Sequence, residues 1–208
     1  VEVGVANSSV TTKSYFDQHI VQFELDVSAA TDKAPRMLDY WTKVMGRKPE
    51  SILDIGCGTG SYYSSFSKLG VTWEGLEISD DMVNFCLSQK IPVIRGQLDD
   101  LIKVYDVIFL SQVLEHILDP NQFMFQIYSH LSNDGIIQID VPNHDSLPSL
   151  LRRLIFFHDR YGAIEFPHHL LGYTKRSLSK LLVSNGFDIC KIQSYPNDHP
   201  VMGQLIVK

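Results

Sequence analysis

The chain of 208 residues is 44% hydrophobic and 20% charged, and its formal net charge is -6 at pH 7. This composition is typical of a soluble globular domain, and the acidic balance argues against nucleic acid or an anionic membrane as a general partner. The chain has three cysteines, an odd number that cannot all pair in disulfides, and their spacing is not that of a metal site. Both features favour reduced thiols in a cytoplasmic protein. No apolar run approaches the ~20 residues of a membrane span, and no signal peptide opens the chain, which begins at Val1 without a methionine.

Residues 1–46 precede any alternation of strands and helices. We expect residues 1–13 to form a mobile arm, and the apolar spacing predicts two helices, at 14–27 and 31–45. Pro35 falls in the first turns of the second helix, where a proline is tolerated. Neither helix belongs to the alternation of strands and helices that follows. We therefore interpret this segment as an arm with two helices that cap a ligand-binding site of the core.

From Ser51 onward, strand-like apolar runs alternate with helix-like segments. The pattern predicts, in chain order, strand 51–55, helix 61–69, strand 72–77, helix 80–90, strand 92–95, a weak helix at 99–102, strand 105–111, helix 120–131 and strand 136–141. We expect Ser79 or Asp80 to cap the helix at 80–90. Alternation of this kind predicts an α/β fold, a doubly wound parallel sheet with helices on both faces.

The last third of the chain departs from this alternation. The pattern predicts helix 146–157, an aromatic and His-rich loop at 160–172, helix 174–185, and closing strands 187–193 and 201–207. The connection between the closing strands is rich in turn residues, so this end of the sheet is expected to be antiparallel. We therefore predict a single domain over 1–208, with a core at 47–208. It contains an insertion at about 144–172, on the side where an acceptor substrate would bind.

Strand 51–55 runs directly into a turn that contains Gly56, Gly58 and Gly60. A strand, a glycine turn and a helix in succession let backbone N–H groups approach a ligand with no Cβ in the way. Ser61 replaces the third glycine of the dinucleotide-binding fingerprint, and no Lys-Ser/Thr pair follows the turn, which excludes a phosphate-binding P-loop.

Two acids flank this turn. Asp54 lies two residues before the first glycine, where it would repel a pyrophosphate but suits a ligand with an ammonium group. Glu77 ends the next apolar run, where an acid can accept hydrogen bonds from both hydroxyls of a ribose. Together the two acids favour a nucleoside ligand that carries positive charge.

The segment Leu53–Gly60 (LDIGCGTG) resembles motif I of the class I S-adenosylmethionine-dependent methyltransferases. The resemblance continues through Glu77, through Ser111–Pro120 after the fourth strand, and through Asn133–Gly135 before the fifth. It implies a Rossmann-like sheet of seven strands, mostly parallel, with an antiparallel C-terminal strand. It also implies S-adenosyl-L-methionine as the cofactor.

The resemblance implies roles for individual residues. Asp54 and Gly56 would lie near the methionine moiety, Gly58 would admit the ligand close to the backbone, and Glu77 would hold the ribose. Gln97 stands where the family usually has an acid on the adenine amino group, and its side-chain carbonyl can still accept that hydrogen bond. The full set of implied cofactor residues is Asp54, Gly56, Cys57, Gly58, Gly60, Glu77, Ile78, Met82, Gln97, Leu98, Ser111, Gln112 and Tyr15.

Three of these residues have a simpler structural interpretation. Glu77 is alternatively a solvated strand end, Met82 a core residue that does not pack on the adenine, and Tyr15 an aromatic packing residue that does not form a lid. The sequence leaves these alternatives open.

Methyl transfer from a sulfonium requires mainly alignment, plus a base if the acceptor is a hydroxyl. Glu115 and His116 follow the fourth strand, and His169 precedes Tyr173 and Thr174 in a pattern that resembles small-molecule O-methyltransferases of the ubiquinone-biosynthesis kind. We expect His116 to be the general base and His169 a second base or a substrate contact. For Glu115, local capping or pairing is the alternative to a catalytic role.

Some relatives carry a metal box, Glu-x-x-Glu-His, completed by a later histidine. Here the first glutamate is replaced by Gln112, and a neutral amide is a weaker ligand for a hard divalent ion. We therefore expect no metal, with a site of Glu115, His116 and His169 as the alternative.

Together these patterns predict a cytoplasmic methyltransferase that acts on a small molecule, at an oxygen of a sugar, a quinone-like compound or a natural product. An RNA or protein acceptor is one alternative, and a non-catalytic cofactor-binding module is another. We expect no nucleic-acid partner and no membrane span, and a homodimer remains open.

Overall fold

The computed structural model describes residues 8–143, 170–194 and 202–207, and it describes side chains for 20, 22–143 and 170–193. The helices are α1 (Ser8–Met45), α2 (Tyr63–Lys68), α3 (Asp80–Ser88), α4 (Pro120–Ser129) and α5 (Lys175–Ser184), with short 3-10 helices at Leu98–Asp100 and Leu114–His116. The strands are β1 (Ser51–Ile55), β2 (Thr72–Glu77), β3 (Val93–Arg95), β4 (Tyr105–Ser111), β5 (Leu131–Pro142), β6 (Ile189–Ser194) and β7 (Met202–Val207).

Five of these strands form a parallel sheet in the order β3-β2-β1-β4-β5. The order reverses between β1 and β4, and a crevice opens at such a switch point beyond the carboxyl ends of the strands. The predicted α/β, Rossmann-like parallel sheet is confirmed.

The backbone of the last two strands continues the edge of the sheet beside β5. The strand β7 pairs with β5 in antiparallel register, for example Ile139 with Leu205, and β6 pairs with β7 in the same sense.

Helix α1 is one continuous helix, so the prediction of two helices is wrong, as is that of an arm for residues 8–13. The intervening residues contain neither glycine nor proline, Ala30 is buried, and the Thr31 hydroxyl donates to the carbonyl of Val27 within the helix, 2.8 Å away. Pro35 lies inside the helix, where its missing N–H removes one intrahelical hydrogen bond. Residues 1–7 lie outside the described part of the chain.

The C-terminal half of α1 is a core helix of the sheet, so its assignment as a cap is wrong. Ala34, Leu38 and Trp41 recur at helical spacing, and all three are buried. The indole Nε1 of Trp41 donates to the side-chain oxygen of Gln138 on β5, 2.8 Å away and away from solvent. A helix with this apolar stripe buries it against the sheet rather than above a ligand.

Residues of β5 alternate between the two faces of the sheet. Ile137 and Ile139 belong to the hydrophobic cluster that includes α4 and α5, and Ile136 belongs to the cluster with α1 and α2. Because side chains alternate along a strand, Gln138 and Asp140 face the α1 side.

Strand β5 begins at Leu131, five residues before its predicted start, and α4 ends at Ser129. Leu131 pairs with Tyr105, and the register then shifts before Ile136 pairs with Val107. The intervening polar residues carry no apolar pattern, so periodicity alone could not detect them.

Among the described helices, none is long and apolar enough to cross a membrane.

Candidate cofactor and active site

The turn after β1 (residues 56–60, the glycine turn) lies at the carboxyl edge of the sheet. All three glycines have left-handed backbone conformations, with φ of 66° at Gly56, 53° at Gly58 and 69° at Gly60. A Cβ would lie 2.6 Å from a methyl group of Val113 at Gly56, and 2.7 Å from a methyl group of Ile91 at Gly60. A Cβ at Gly58 would meet nothing within 4 Å. Gly58 therefore has the open backbone that close approach of a ligand requires.

The carboxylate of Glu77 connects the glycine turn to the start of α3. One of its oxygens accepts from the N–H of Gly58 at 3.0 Å, and the other accepts from the N–H groups of Ile78 at 2.8 Å and Ser79 at 2.9 Å. Its side chain is buried, so the alternative of a solvated strand end is wrong. Ser79 occupies the N-cap position of α3, one of the two predicted, but its side chain makes no capping hydrogen bond. Its backbone N–H donates to the Glu77 carboxylate.

Asp54 is buried beside the glycine turn, with 4% of its surface exposed. Burial raises the pKa of Asp54 to about 8, and the negative charge of Glu77 pushes it in the same direction. A cationic group placed beside Asp54 would lower this pKa and favour the carboxylate. The site is therefore chemically suited to an ammonium group.

The residues predicted to surround an adenine lie after β2 and β3. Ile78 is 72% exposed although it is apolar, and Met82 is half-buried. Gln97 is exposed, and its backbone N–H donates to the carboxylate of Asp100 at 2.7 Å. Leu98 is buried in the core cluster on the α4 side, so only its backbone is left to meet a ligand there.

The segment after β4 carries the candidate base. Gln112 has φ of 57°, a strained value for a residue with a side chain, and its N–H donates to the carbonyl of Asp140 at 2.9 Å. Ser111, half-buried, pairs with Asp140 across the two strands. Glu115 is buried and His116 is exposed, so these neighbouring side chains lie in different surroundings.

The carbonyl of Glu115 accepts hydrogen bonds from the N–H groups of Leu170, at 2.9 Å, and Leu171, at 3.0 Å. His169 itself lies outside the described residues, as does the side chain of Tyr15, whose backbone is part of α1. Residues 160–169 of the predicted aromatic loop and the helix predicted at 146–157 also lie outside them. No group of three His, Cys, Asp or Glu side chains suited to a metal occurs within the described ranges, which do not include His169.

Asp140, at the carboxyl end of β5, was missed by the sequence reasoning. Its Oδ1 atom is buried and has no hydrogen-bond partner among the described residues, and its Oδ2 atom lies 3.5 Å from the Gln138 amide nitrogen. Burial raises the pKa of Asp140 to about 7, while the positive charge of Lys33 on α1 opposes that rise. The available signal was an acid that ends an apolar strand, the same signal that identified Glu77.

Tyr62 follows the glycine turn. Burial raises the pKa of its hydroxyl, and the negative charges of Asp54, Asp140 and Asp26 raise it further. Acids of β1, β5 and α1 therefore all act electrostatically on this hydroxyl.

The family description "Methyltransferase domain" matches residues 23–192. Among curated proteins, the mitochondrial ubiquinone biosynthesis O-methyltransferase of Schizosaccharomyces pombe is 26% identical over 129 residues, which are 55% of this chain and 47% of that protein. The malonyl-[acyl-carrier protein] O-methyltransferase of Halalkalibacterium halodurans is 26% identical over 149 residues, covering 61% of this chain and 54% of that protein. The chain thus spans about half the length of these curated relatives.

Solved structures share the fold. The plantazolicin methyltransferase BpumL in complex with SAH superposes with a TM-score of 0.67 at 19% identity, over 98% of this chain and 91% of that one. A SAM-dependent methyltransferase from Archaeoglobus fulgidus superposes with a TM-score of 0.62 at 23% identity, over 88% of this chain and 94% of that one. With its glycine turn, its acid at the end of β2 and this match over most of its length, the chain belongs to the methyltransferase domain family.

Proposed function

We propose that this protein transfers a methyl group from S-adenosyl-L-methionine to an oxygen of a small molecule. The observation that carries the proposal is the Glu77 carboxylate, buried at the end of β2 and bonded to the N–H of Gly58 in the glycine turn. The names of the curated relatives support O-methylation, and SAH in the titles of structures with the same fold supports the cofactor.

In this proposal the ribose is held by Glu77 and the ammonium of the methionine moiety by Asp54. The exposed apolar side chain of Ile78 supports an adenine contact there, with Met82 beside it, and Gln97 accepts from the adenine amino group. The remaining residues of the proposed site shape the turn, flank the methyl group or cover the ligand: Gly56, Cys57, Gly58, Gly60, Leu98 through its backbone, Ser111, Gln112 and Tyr15.

On the acceptor side, His116 is the proposed general base, with His169 as a second base or substrate contact and Glu115 as a supporting residue. The exposure of His116 beside the carboxyl edge supports its access to a hydroxyl. The hydrogen bond from Leu170, the neighbour of His169 in sequence, to the carbonyl of Glu115 supports a common location.

Calorimetric titration with S-adenosylhomocysteine tests the cofactor. Glu77→Gln should weaken binding by roughly tenfold or more, because an amide N–H₂ replaces an oxygen that accepts from backbone and ribose donors. The matched control is Glu74→Gln on the same strand, where Glu74 instead accepts from the Tyr105 hydroxyl at 2.5 Å and from Lys103. Absence of binding to the wild type at high micromolar ligand would overturn the proposal.

The role of His116 requires an assay of product formation with a panel of sugar, phenol and acyl acceptors. With an acceptor from this panel, His116→Ala should lower turnover by roughly 100-fold or more, with little change in cofactor affinity. Equal losses in both quantities would contradict a role as base. Cofactor binding without turnover of any panel member would favour the non-catalytic binding module.

We further propose that the whole chain is one domain with a seven-stranded sheet and an antiparallel C-terminal strand, which the backbone pairing of β7 with β5 supports. A cytoplasmic location and the absence of a nucleic-acid partner are also proposals. The free cysteines and the net charge of -6 support them, although the Schizosaccharomyces pombe relative is named as mitochondrial. Cell fractionation and light scattering would test the location and a homodimer.

A further inference from the structure

Two of the three cysteines meet at the glycine turn. Cys57 belongs to the turn and is half-buried, whereas Cys86 lies on α3 and is buried. The Cys86 thiol donates to the carbonyl of Gly58, the residue after Cys57, at 3.2 Å, and the Cys57 thiol lies close enough to lower the pKa of Cys86. Cys190, on β6, is exposed.

The two sulfurs are tightly enclosed by the backbone of the cofactor site. A Cβ at Gly75 on β2 would lie 2.5 Å from the Cys57 sulfur, and a Cβ at Gly60 would lie 3.4 Å from the Cys86 sulfur. The Cys57 sulfur therefore packs against the backbone of β2, at a position where only a glycine leaves room.

The electrostatics distinguish the two thiols. The hydrogen bond from Cys57 lowers the pKa of Cys86, whereas that bond, together with burial and the charge of Asp54, raises the pKa of Cys57. Thiolate is the nucleophile in sulfur chemistry, and the sulfur that a small oxidant reaches first is the accessible one. Cys86 thus has the greater thiolate character and Cys57 the greater exposure, and the same disulfide forms whichever of the two is oxidised first.

We propose that Cys57 and Cys86 form a thiol modification site, in which a peroxide joins the two sulfurs as a disulfide and weakens binding of S-adenosylmethionine; the effect on binding rests on the function proposed above. In the first step the sulfur of one cysteine attacks a peroxide oxygen, the O–O bond breaks, and the thiol and hydrogen peroxide become a sulfenic acid and one water. In the second step the other cysteine attacks that sulfur, the S–O bond breaks, and the departing hydroxide takes the proton of the attacking thiol as a second water.

A disulfide would act on the glycine turn because Cys57 lies between Gly56 and Gly58. The bond draws the sulfurs closer than a hydrogen bond does, so the turn must move toward α3. This movement breaks or lengthens the hydrogen bond from Gly58 to Glu77, now 3.0 Å, and reorients the acid proposed to hold the ribose. We expect S-adenosylhomocysteine affinity to fall by about tenfold, the loss of one hydrogen bond to a charged group.

The experiment compares Cys190→Ser with Cys86→Ser/Cys190→Ser, each after reduction and after treatment with hydrogen peroxide. In the first variant we expect a mass lower by two hydrogen atoms, a linked tryptic pair of peptides 48–68 and 69–90, and a tenfold loss of S-adenosylhomocysteine affinity that dithiothreitol reverses. In the double variant, no linked peptide pair should form. Tryptic mapping of the peroxide-treated wild type gives the same answer if either variant fails to fold.

Absence of the linked peptide pair overturns the modification site. If the linked peptide pair forms but the affinity for S-adenosylhomocysteine stays within twofold of that of the reduced protein, the proposed effect of the disulfide on cofactor binding is overturned. Failure of the proposed function is a separate result: the reduced protein then binds no S-adenosylhomocysteine, while peptide mapping still decides whether the disulfide forms.

Discussion

Asp54 on β1 and Glu77 on β2 are buried acids at the carboxyl edge of the sheet, and the half-buried Asp140 lies at the same edge on β5. Glu77 is bonded to three backbone N–H groups, whereas Asp54 and Asp140 have pKa values raised by burial to about 8 and about 7. Sequence patterns predicted the first two from the turn and from a strand end. Asp140 ends an apolar run in the same way, but no matched motif includes it.

Stability should fall as pH rises from 5 to 8. Asp54 and Asp140 have folded pKa values above the ~3.9 of an unfolded aspartate, so the folded state binds more protons across this window and loses stability as they ionise. Asp106, whose pKa Arg47 lowers to about 2, acts with the opposite sign, but only below pH ~4. Asp140→Asn should reduce the loss by roughly 1–3 kcal/mol in urea unfolding measured at pH 5 and pH 8.

The matched control for this measurement is Asp80→Asn, because the carboxylate of Asp80 is exposed and paired with Arg95. The pKa of Asp80 is lowered by that pairing, so its contribution also lies below the window. A free energy of unfolding that stays constant between pH 5 and pH 8 in the wild type would contradict the raised pKa values.

At the scale of the elements, α1 is the largest departure from the sequence-based interpretation. Its helical propensity was visible, but whether two helical patterns join and what they pack against depends on residues far away in the chain. The Trp41 indole donates to Gln138, which lies 97 positions later, and Arg47 after the helix pairs with Asp106 and Asp134. These contacts fix the helix on the sheet.

The Trp41–Gln138 hydrogen bond can be measured by a double-mutant cycle. Trp41→Phe should lower the free energy of unfolding by about 2–4 kcal/mol, because it leaves a buried Gln138 oxygen without its donor and removes buried apolar surface. Adding Gln138→Met should recover about 1 kcal/mol, since it removes the Gln138 oxygen that Trp41→Phe leaves without a donor. Urea unfolding of both single variants and the double variant gives the coupling, and strict additivity would contradict it.

At the scale of the whole molecule, the proposed cofactor site is assembled from segments far apart in sequence. The glycine turn, the end of β2 and the end of β5 converge because parallel strands bring their carboxyl ends to one edge. A ligand that contacts all of them should stabilise the fold as a unit.

Thermal unfolding should therefore show one transition that S-adenosylhomocysteine shifts. At a ligand concentration of 100 times Kd, the native state gains about 2.7 kcal/mol, which raises Tm by roughly 5–10 °C in a domain of this size. Differential scanning calorimetry with and without ligand measures the shift, and Glu77→Gln should reduce it at the same ligand concentration. Two transitions, of which only one shifts, would contradict a single domain.

Local patterns were enough to predict the parallel sheet. The bounds of β1, β2 and β4 agree with the apolar runs that predicted them, because a buried parallel strand is apolar over its whole length and is bounded by turn residues. Motif I could likewise be recognised from sequence, since its glycines are required by the left-handed conformation of the turn itself.

Contacts between distant segments decided the rest. The continuity of α1, the burial of Asp140, the role of Glu77 in holding the glycine turn and the meeting of Cys57 with Cys86 each depend on residues brought together only by the fold. A strand pattern records whether a side chain is apolar, but not which polar atom of another element lies beside it. The sequence by itself thus determined the sheet and the turn proposed to receive the cofactor, whereas tertiary packing decided which side chains that turn contacts.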